Sequence, residues 1–450
     1  MAQTRRPKSA LQRSIPGLGL LLAFGAAPAA CAQTLVQLFE AARASDATYQ
    51  GARAQFDANL AKADQSRALI LPSASLSTGI TRNNYDSSTP PVDGTYTAVT
   101  ASIGATQPLY RPANWAGYEQ GLKLADVARA QLQVAEQDLV IRVSQAYFEA
   151  LAAQDTLEFV RAQKAAVAEQ LASARRNFEV GTATITDTRE AQARHDLVQA
   201  QEIAAENDLR VKKLALDTVV SRRDTVPAPL AQPVALPAVL GDVESWVSQA
   251  EGQHPVVQQA LIALDVARLE TEKARAGHKP TVDLQASYGV NRNPQGSPVN
   301  NLAFGTRSNL ATVGVQLTLP LFAGYAIQNR VRETLSLEEK AAADLEAVRR
   351  TVVQNTRTAY FGVMSGKGQV AALQAAESSS QSALDANKLG YQVGVRINID
   401  VLNAQSQLYQ TKRDLAQARY NVLLGDLRLR QAAGNLRTED LQGIEALLAR

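Results

Sequence analysis

Two hydrophobic periods alternate along the chain. Ala74, Leu76, Thr78 and Ile80 alternate with Ser73, Ser75, Ser77 and Gly79, and Val99, Ala101, Ile103 and Ala105 with Thr100, Ser102 and Gly104. The period of two returns in Val282, Leu284, Ala286, Tyr288 and Val290, and most cleanly in Val313, Val315, Leu317 and Leu319 against Gly314, Gln316 and Thr318. Such alternation over about 9–11 residues, apolar on one face and Ser, Thr, Gly or Gln on the other, is the pattern of a membrane-spanning strand with a wet lumen. Stretches 83–94 and 291–309, rich in Asn, Gly, Pro and Asp, read as the loops between the strands of each pair. Two β-hairpins are therefore expected, over residues 72–109 and 280–321. Known transmembrane barrels start at about eight strands, so four must be shared with further copies of the chain.

The second period is helical. None of the 17 prolines falls within residues 113–226 or 321–450. Each stretch has a single break, at Val180-Gly181 and Val393-Gly394, followed by β-branched residues and an Asp. The glycine suits a chain reversal and the Asp a new helix N-terminus. Each stretch is thus expected to be a helical hairpin, with tips at 180–187 and 393–400. A helix over residues 113–178 would span about 100 Å. Its apolar positions, among them Leu122, Ala125, Leu132, Leu139, Val134 and Ile141, fill more than one seam, as in a stave flanked by a neighbour on each side.

The chain is duplicated. Phe178-Glu179-Val180-Gly181, Asp187 and Ala191-Gln192 recur as Tyr391-Gln392-Val393-Gly394, Asp400 and Ala404-Gln405, all at one constant offset. Ala146-Tyr147-Phe148 and Ala359-Tyr360-Phe361 keep that offset, whereas Pro72 and Pro280 stand slightly closer together, so the second copy has gained a short insertion between. The division expected is a first repeat at 33–221, a Pro-rich linker at 222–243, a second repeat at 244–433 and a C-terminal segment at 434–450. The linker and that segment are expected to form a belt around the middle of the staves.

Before residue 33, Arg5, Arg6, Lys8 and Arg13 precede an apolar stretch and Ala30-Cys31-Ala32, which reads as a secretory signal over 1–32. The less favoured alternative makes Cys31 an acylated lipid anchor. Cleavage after Ala32 would change the formal charge from +3 to −1. That balance excludes nucleic-acid binding through a basic face. One Cys and three His leave no metal site or disulfide framework. Gly362, Gly366, Lys367 and Gly368 miss the P-loop spacing and sit in a helical stretch, where a close helix contact or a bend explains them better. No enzyme signature and no cofactor are expected.

The signal, the duplicated strand pair with helical hairpin, and the tips Val180-Gly181 to Asp187 and Val393-Gly394 to Asp400 resemble the TolC family of outer-membrane efflux channels, in its type I secretion branch. The resemblance implies a mainly α fold with a transmembrane β portion: a trimer whose 12-stranded β-barrel in the outer membrane continues as a long periplasmic α-helical barrel. It implies a passive channel of a tripartite export system for proteins or small molecules, working with a periplasmic adaptor and an inner-membrane ABC or RND pump. A periplasmic adaptor or coiled-coil scaffold is the alternative, though one hairpin within a small β-domain would be expected there. By motif, the resemblance places a gate latch at Tyr391, Arg396, Thr186 and Asp187. It places the pore constriction at Asp400 and Asn403, the second position lacking the family's acid, and adaptor docking at Gly181 and Gly394. On the residues alone, Asp187 and Asp400 can also be read as helix caps, a role that can coexist with the latch, and the two glycines equally as turn residues. Tyr85, Tyr96 and Tyr288 are candidates for an interfacial aromatic girdle.

Overall fold

The structure, a computed structural model, describes residues 33–448 apart from 89–90, 232–233, 235, 238–240, 295 and 297–304. The expected signal and Cys31 lie outside the described residues. The first repeat runs α1 (Leu35–Ser45), α2 (Ala47–Ser66), β1 (Ser73–Ser88), β2 (Pro91–Tyr110), α3 (Pro112–Glu179) and α4 (Ile185–Val220). The second runs α5 (Val243–Gln253), α6 (Pro255–Ala276), β3 (Thr281–Asn293), β4 (Thr306–Thr318), α7 (Ala326–Gln392) and α8 (Asn398–Ala432), and α9 (Asp440–Glu445) follows.

The four strands form one antiparallel sheet in the order β1-β2-β3-β4. Its register lines up Leu76, Ile103, Tyr288 and Ala311 across one face, with Ala74, Ala105, Ala286 and Val313 in the next row. That face is bare in the single chain, Ile80 being 76% and Val313 79% exposed. The opposite face carries hydroxyl and amide ladders: Ser77 to Ser102 at 2.7 Å, Ser287 to Thr312 at 2.6 Å and Gln285 to Gln316 at 2.8 Å.

Two expectations need correction here. Much of stretch 83–94 is strand, with Asn83 paired to Tyr96 and Tyr85 to Gly94, because ladder bonds continue where neither face is apolar enough to show alternation. By the same register Tyr85 and Tyr96 fall on the polar face, one residue out of step with Ile80 and Val99, so they cannot join an outward girdle. Tyr288 does lie on the apolar face, and four further exposed aromatics, Tyr110, Trp115, Phe322 and Tyr325, stand at the other end of the sheet.

The helices make a wall of four staves. Above the middle, α2 packs on α3, α3 on α6 and α6 on α7; below it, α4 packs on α3, α3 on α8 and α8 on α7. The unbroken helices α3 and α7, 68 and 67 residues long, run the whole height. The glycine cluster lies within the unbroken α7: a Cβ on Gly366 would stand 2.9 Å from Val422 Cγ2, so this glycine lets α7 approach α8, while Gly362 and Gly368 face open space.

The largest core sits at mid-height. Leu35, Leu38 and Phe39 of α1 meet Tyr147, Phe148 and Leu151 of α3, Leu423 and Leu427 of α8, and Leu441 and Ile444 of α9. The linker closes over it: the Tyr147 hydroxyl donates to the Ala228 carbonyl at 2.8 Å, and Ala231 N donates to the Leu447 carbonyl at 2.9 Å. The belt thus includes α1 as well as the linker and the chain end.

The second helix of each repeat is capped at equivalent places by unlike residues. Asp46 caps α2 through Tyr49 N at 2.7 Å and takes two bonds from Arg142, which hold its carboxyl below the usual range. Its counterpart in the second repeat, His254, caps α6 by accepting from Val256 N at 3.2 Å. Gly434, at φ +76°, packs so tightly there that a Cβ would lie 2.5 Å from His254 Cα.

Candidate functional site

The two tips turn in the same way. In each, glycine at a φ near +79° (Gly181) or +78° (Gly394) ends the helix, a conformation that costs side chains with a Cβ strain. Thr182 N donates to Asn177 O at 2.8 Å, and at the equivalent place in the second tip Val395 N donates to Gly390 O at 2.8 Å. A Cβ at either glycine would meet nothing within 4 Å, so the turn alone accounts for them and the surface around them is open.

The next helix starts differently in the two tips. Thr184 caps α4 in a reciprocal box: its hydroxyl accepts from Asp187 N at 3.2 Å, and Asp187 Oδ2 accepts from Thr184 N at 3.0 Å and from the Thr184 hydroxyl at 2.7 Å. In the second tip the capping position is Ile397, which makes no side-chain bond. Asp400 is therefore not a cap, contrary to one expectation. It faces Arg396 across 3.6 Å instead, one turn away on the same tip.

Apolar residues seal each hairpin internally. Val160, Val167, Leu171 and Ala174 of α3 pack with Ala191 and Val198 of α4, and Leu384 of α7 with Val401 and Leu408 of α8. The outer hairpin adds charge: Arg161 reaches Glu202 at 3.2 Å and Glu206 at 2.7 Å, and Lys164 reaches Glu202 at 2.7 Å, holding the Glu202 carboxyl below the usual range. No ion pair joins α7 to α8 among the described residues.

Between the hairpins near the tips, apart from Leu402 of α8, which packs into the cluster of α3 and α4, the contacts are polar. Tyr391 accepts from Asn177 Nδ2 at 3.2 Å, and Asn403 accepts from Arg194 Nη2 at 2.9 Å. Asn398 at the start of α8 is wholly buried, accepts from Gln170 of α3 and donates to the Asp187 carbonyl at 3.3 Å. Just above, a cleft of about 380 Å³ is lined by Gln163, Gln201, Asn403, Ser406 and Arg413. Gln163 and Gln405, both buried, each leave a side-chain oxygen without a protein partner on this seam.

Among the described residues no hydrogen bond joins any two of Tyr391, Arg396, Thr186 and Asp187. Asp187 is occupied in its cap box, Thr186 is exposed, and Tyr391 binds Asn177. Thr184, Asn177, Gln170, Arg194 and Asn398 were not anticipated. Only Thr184 had a readable signal, a Thr three residues before Asp187 at a helix start.

Comparison with known proteins now decides the family. Residues 38–221 and 246–435 match the family described as Outer membrane efflux protein, one match to each repeat. The chain belongs to that family. It is 34% identical to the outer membrane protein TolC of Vibrio cholerae over 92% of this chain and 94% of that protein. It is 32% identical to the alkaline protease secretion protein AprF of Pseudomonas aeruginosa over 79% of this chain and 73% of that protein. Among solved structures, the Vibrio cholerae outer membrane protein VceC superposes with a TM-score of 0.77 at 20% identity, covering 89% of this chain and 96% of that one. The fold is thus that of the outer-membrane efflux channels, with a β portion in the outer membrane and helices extending into the periplasm. The protein is the outer-membrane channel of a tripartite export system, and the adaptor alternative is not favoured.

Proposed function

We propose that three copies close edge to edge into one passive conduit, opened and shut at the helix tips. The observation that carries this is the sheet. Its outer strands β1 and β4 each have a free edge, and one whole face is apolar and bare. In a bilayer each unpaired backbone group costs several kcal/mol, so the edges must meet other strands. The helical wall has matching margins. Leu197, Ile203, Val211 and Leu214 are exposed on α4 at the β1 side, and Phe361, Met364 and Leu389 on α7 at the β4 side. Head-to-tail joining of unlike margins closes a ring when the rotation fits.

The tips then act as a gate against a periplasmic adaptor, with an inner-membrane ABC or RND pump supplying energy. Gly181 and Gly394 sit among exposed Val180, Val393, Val395 and Ile397, an apolar rim for an adaptor to cover. Since the single chain leaves Thr186 free and Arg396 only loosely engaged, the four-residue latch works between neighbouring copies. Three Asp400 side chains form the narrowest ring, each partly neutralised by Arg396. Asp400→Asn should therefore shift the reversal potential across a salt gradient only modestly, and an unchanged potential would remove the ring. The protease secretion relative supports a polypeptide cargo, carried through a lumen lined by the hydroxyl and amide ladders.

Fractionation with unboiled gel mobility tests the assembly. A heat-sensitive trimer in the outer membrane is expected, and a soluble monomer would end the proposal.

A further inference from the structure

We propose that the Asn398 side chain is a positioning latch that holds the inner hairpin (α7 and α8) shut against the outer one. This rests on the gate reading above and adds to it a residue within one chain. A fully buried amide at the first turn of a helix needs a reason, because the neighbouring tip positions Val395 and Ile397 are exposed and apolar. The reason is its two partners. Its oxygen accepts from the Gln170 amide on α3, and its nitrogen donates to the carbonyl of Asp187 at the start of α4. One side chain thus grips both helices of the outer hairpin, where the moving hairpin begins.

The surroundings make that grip decisive. The seam between α3 and α8 is polar around it, with Gln163 and Gln405 buried and only partly satisfied and an open cleft beside Asn403 and Ser406. Water can enter such a seam at little cost, so apolar burial holds the hairpins together only weakly there. Leu402 is the apolar tie across it, joining the cluster of α3 and α4. Asn398 also carries the coupling to the latch, since the carbonyl it binds belongs to Asp187 itself. Pulling the inner tip away breaks that bond and tugs the first turn of α4, where Asp187 and Thr184 hold their box.

The test uses the full trimer in planar bilayers. Asn398→Leu keeps the volume and removes both bonds. A roughly tenfold rise in the open-to-closed ratio is expected, the scale of one to two buried hydrogen bonds lost. Gln170→Leu should give part of that rise, and the double variant little more than Asn398→Leu alone. If Asn398→Leu does not assemble, Asn398→Ala is measured in its place, with trimer heat stability recorded for each. An unchanged ratio in an assembled Asn398 variant, or simple additivity with Gln170→Leu, overturns the proposal. A chemical link between Arg194→Cys and Asn403→Cys separates it from the gate reading. If the linked trimer conducts less while Asn398 variants behave as the parent, only the Asn398 proposal fails; if linking changes nothing, the gate itself fails.

Discussion

The two helix tips share a turn and differ in everything that secures it. Both reverse on a glycine at positive φ with the same backbone bonds, at equivalent places in the two repeats. The first tip is self-sufficient, closed by the Thr184 and Asp187 box and backed by the Arg161, Lys164 and Glu202 ion pairs. The second has Ile397 where a cap would be, no ion pair between its two helices among the described residues, and a buried Asn398 that finds its partners on the first. The two repeats carry equivalent hairpins, and the one without a side-chain cap draws its partners from the other. That asymmetry is what a gate needs: a fixed jamb and a leaf that can leave it.

The largest effect expected is strain at the shared turn. Gly181→Val and Gly394→Val should each cost about 1–3 kcal/mol locally, because valine resists positive φ. Limited proteolysis should find both tips loosened, but only Gly394→Val should raise single-channel conductance. Equal gains from both would erase the difference between the tips.

Exchanging the caps sharpens the comparison next. Thr184→Ala should weaken the first tip by about 1 kcal/mol. Ile397→Thr would let Asp400 complete a box in the second tip and draw it away from Arg396, making the inner tip less dependent on its neighbour. Hydrogen exchange at the first turns of α4 and α8 reads both, with protection falling in the first variant and rising in the second.

Tyr391→Phe removes the bond with Asn177 and should favour the open state by about 0.5–1.5 kcal/mol, read as a several-fold higher open probability. An unchanged open probability would leave this contact outside the gate.

The smallest effect lies away from the tips, at the paired joints of the two repeats. Burial lowers the His254 pKa below its ordinary value, and its cap bond to Val256 N needs the neutral ring. Its stabilisation is therefore full above the unfolded value of about 6.5 and fades as the pH falls toward the lower folded value. Heat stability of the trimer should drop between pH 7.5 and 5.5, and His254→Asn, which can still cap, should flatten that part of the profile. Asp46, whose folded pKa is lowered by Arg142, loses its contribution only at more acid pH, below about 4.

Much of this was legible in the sequence because it repeats or alternates. Val313 to Leu319 alternate cleanly, and the prolines mark where the staves begin. The strand over 83–94 was not legible because hydrophobic alternation stops where both faces are polar, although ladder pairing goes on. Tyr85 and Tyr96 show the cost: without the register, their face could not be assigned. Asp46 and His254 play one part with different side chains, so no likeness connects them. Asn398 was silent for a related reason. An Asn after Ile397 reads as an ordinary exposed helix start, and only the packing of α8 on α3 and α4 turns its amide inward.

The central claim is that the inner hairpin moves against the outer one. Conductance of the trimer with Arg194→Cys and Asn403→Cys, joined by a short cleavable thiol linker, tests it most directly, since Arg194 and Asn403 touch at 2.9 Å across that seam. The account predicts that the linked trimer stays in a low-conductance state under conditions that open the parent, and that cleaving the linker restores opening. A linked trimer that opens as readily as the parent would contradict it.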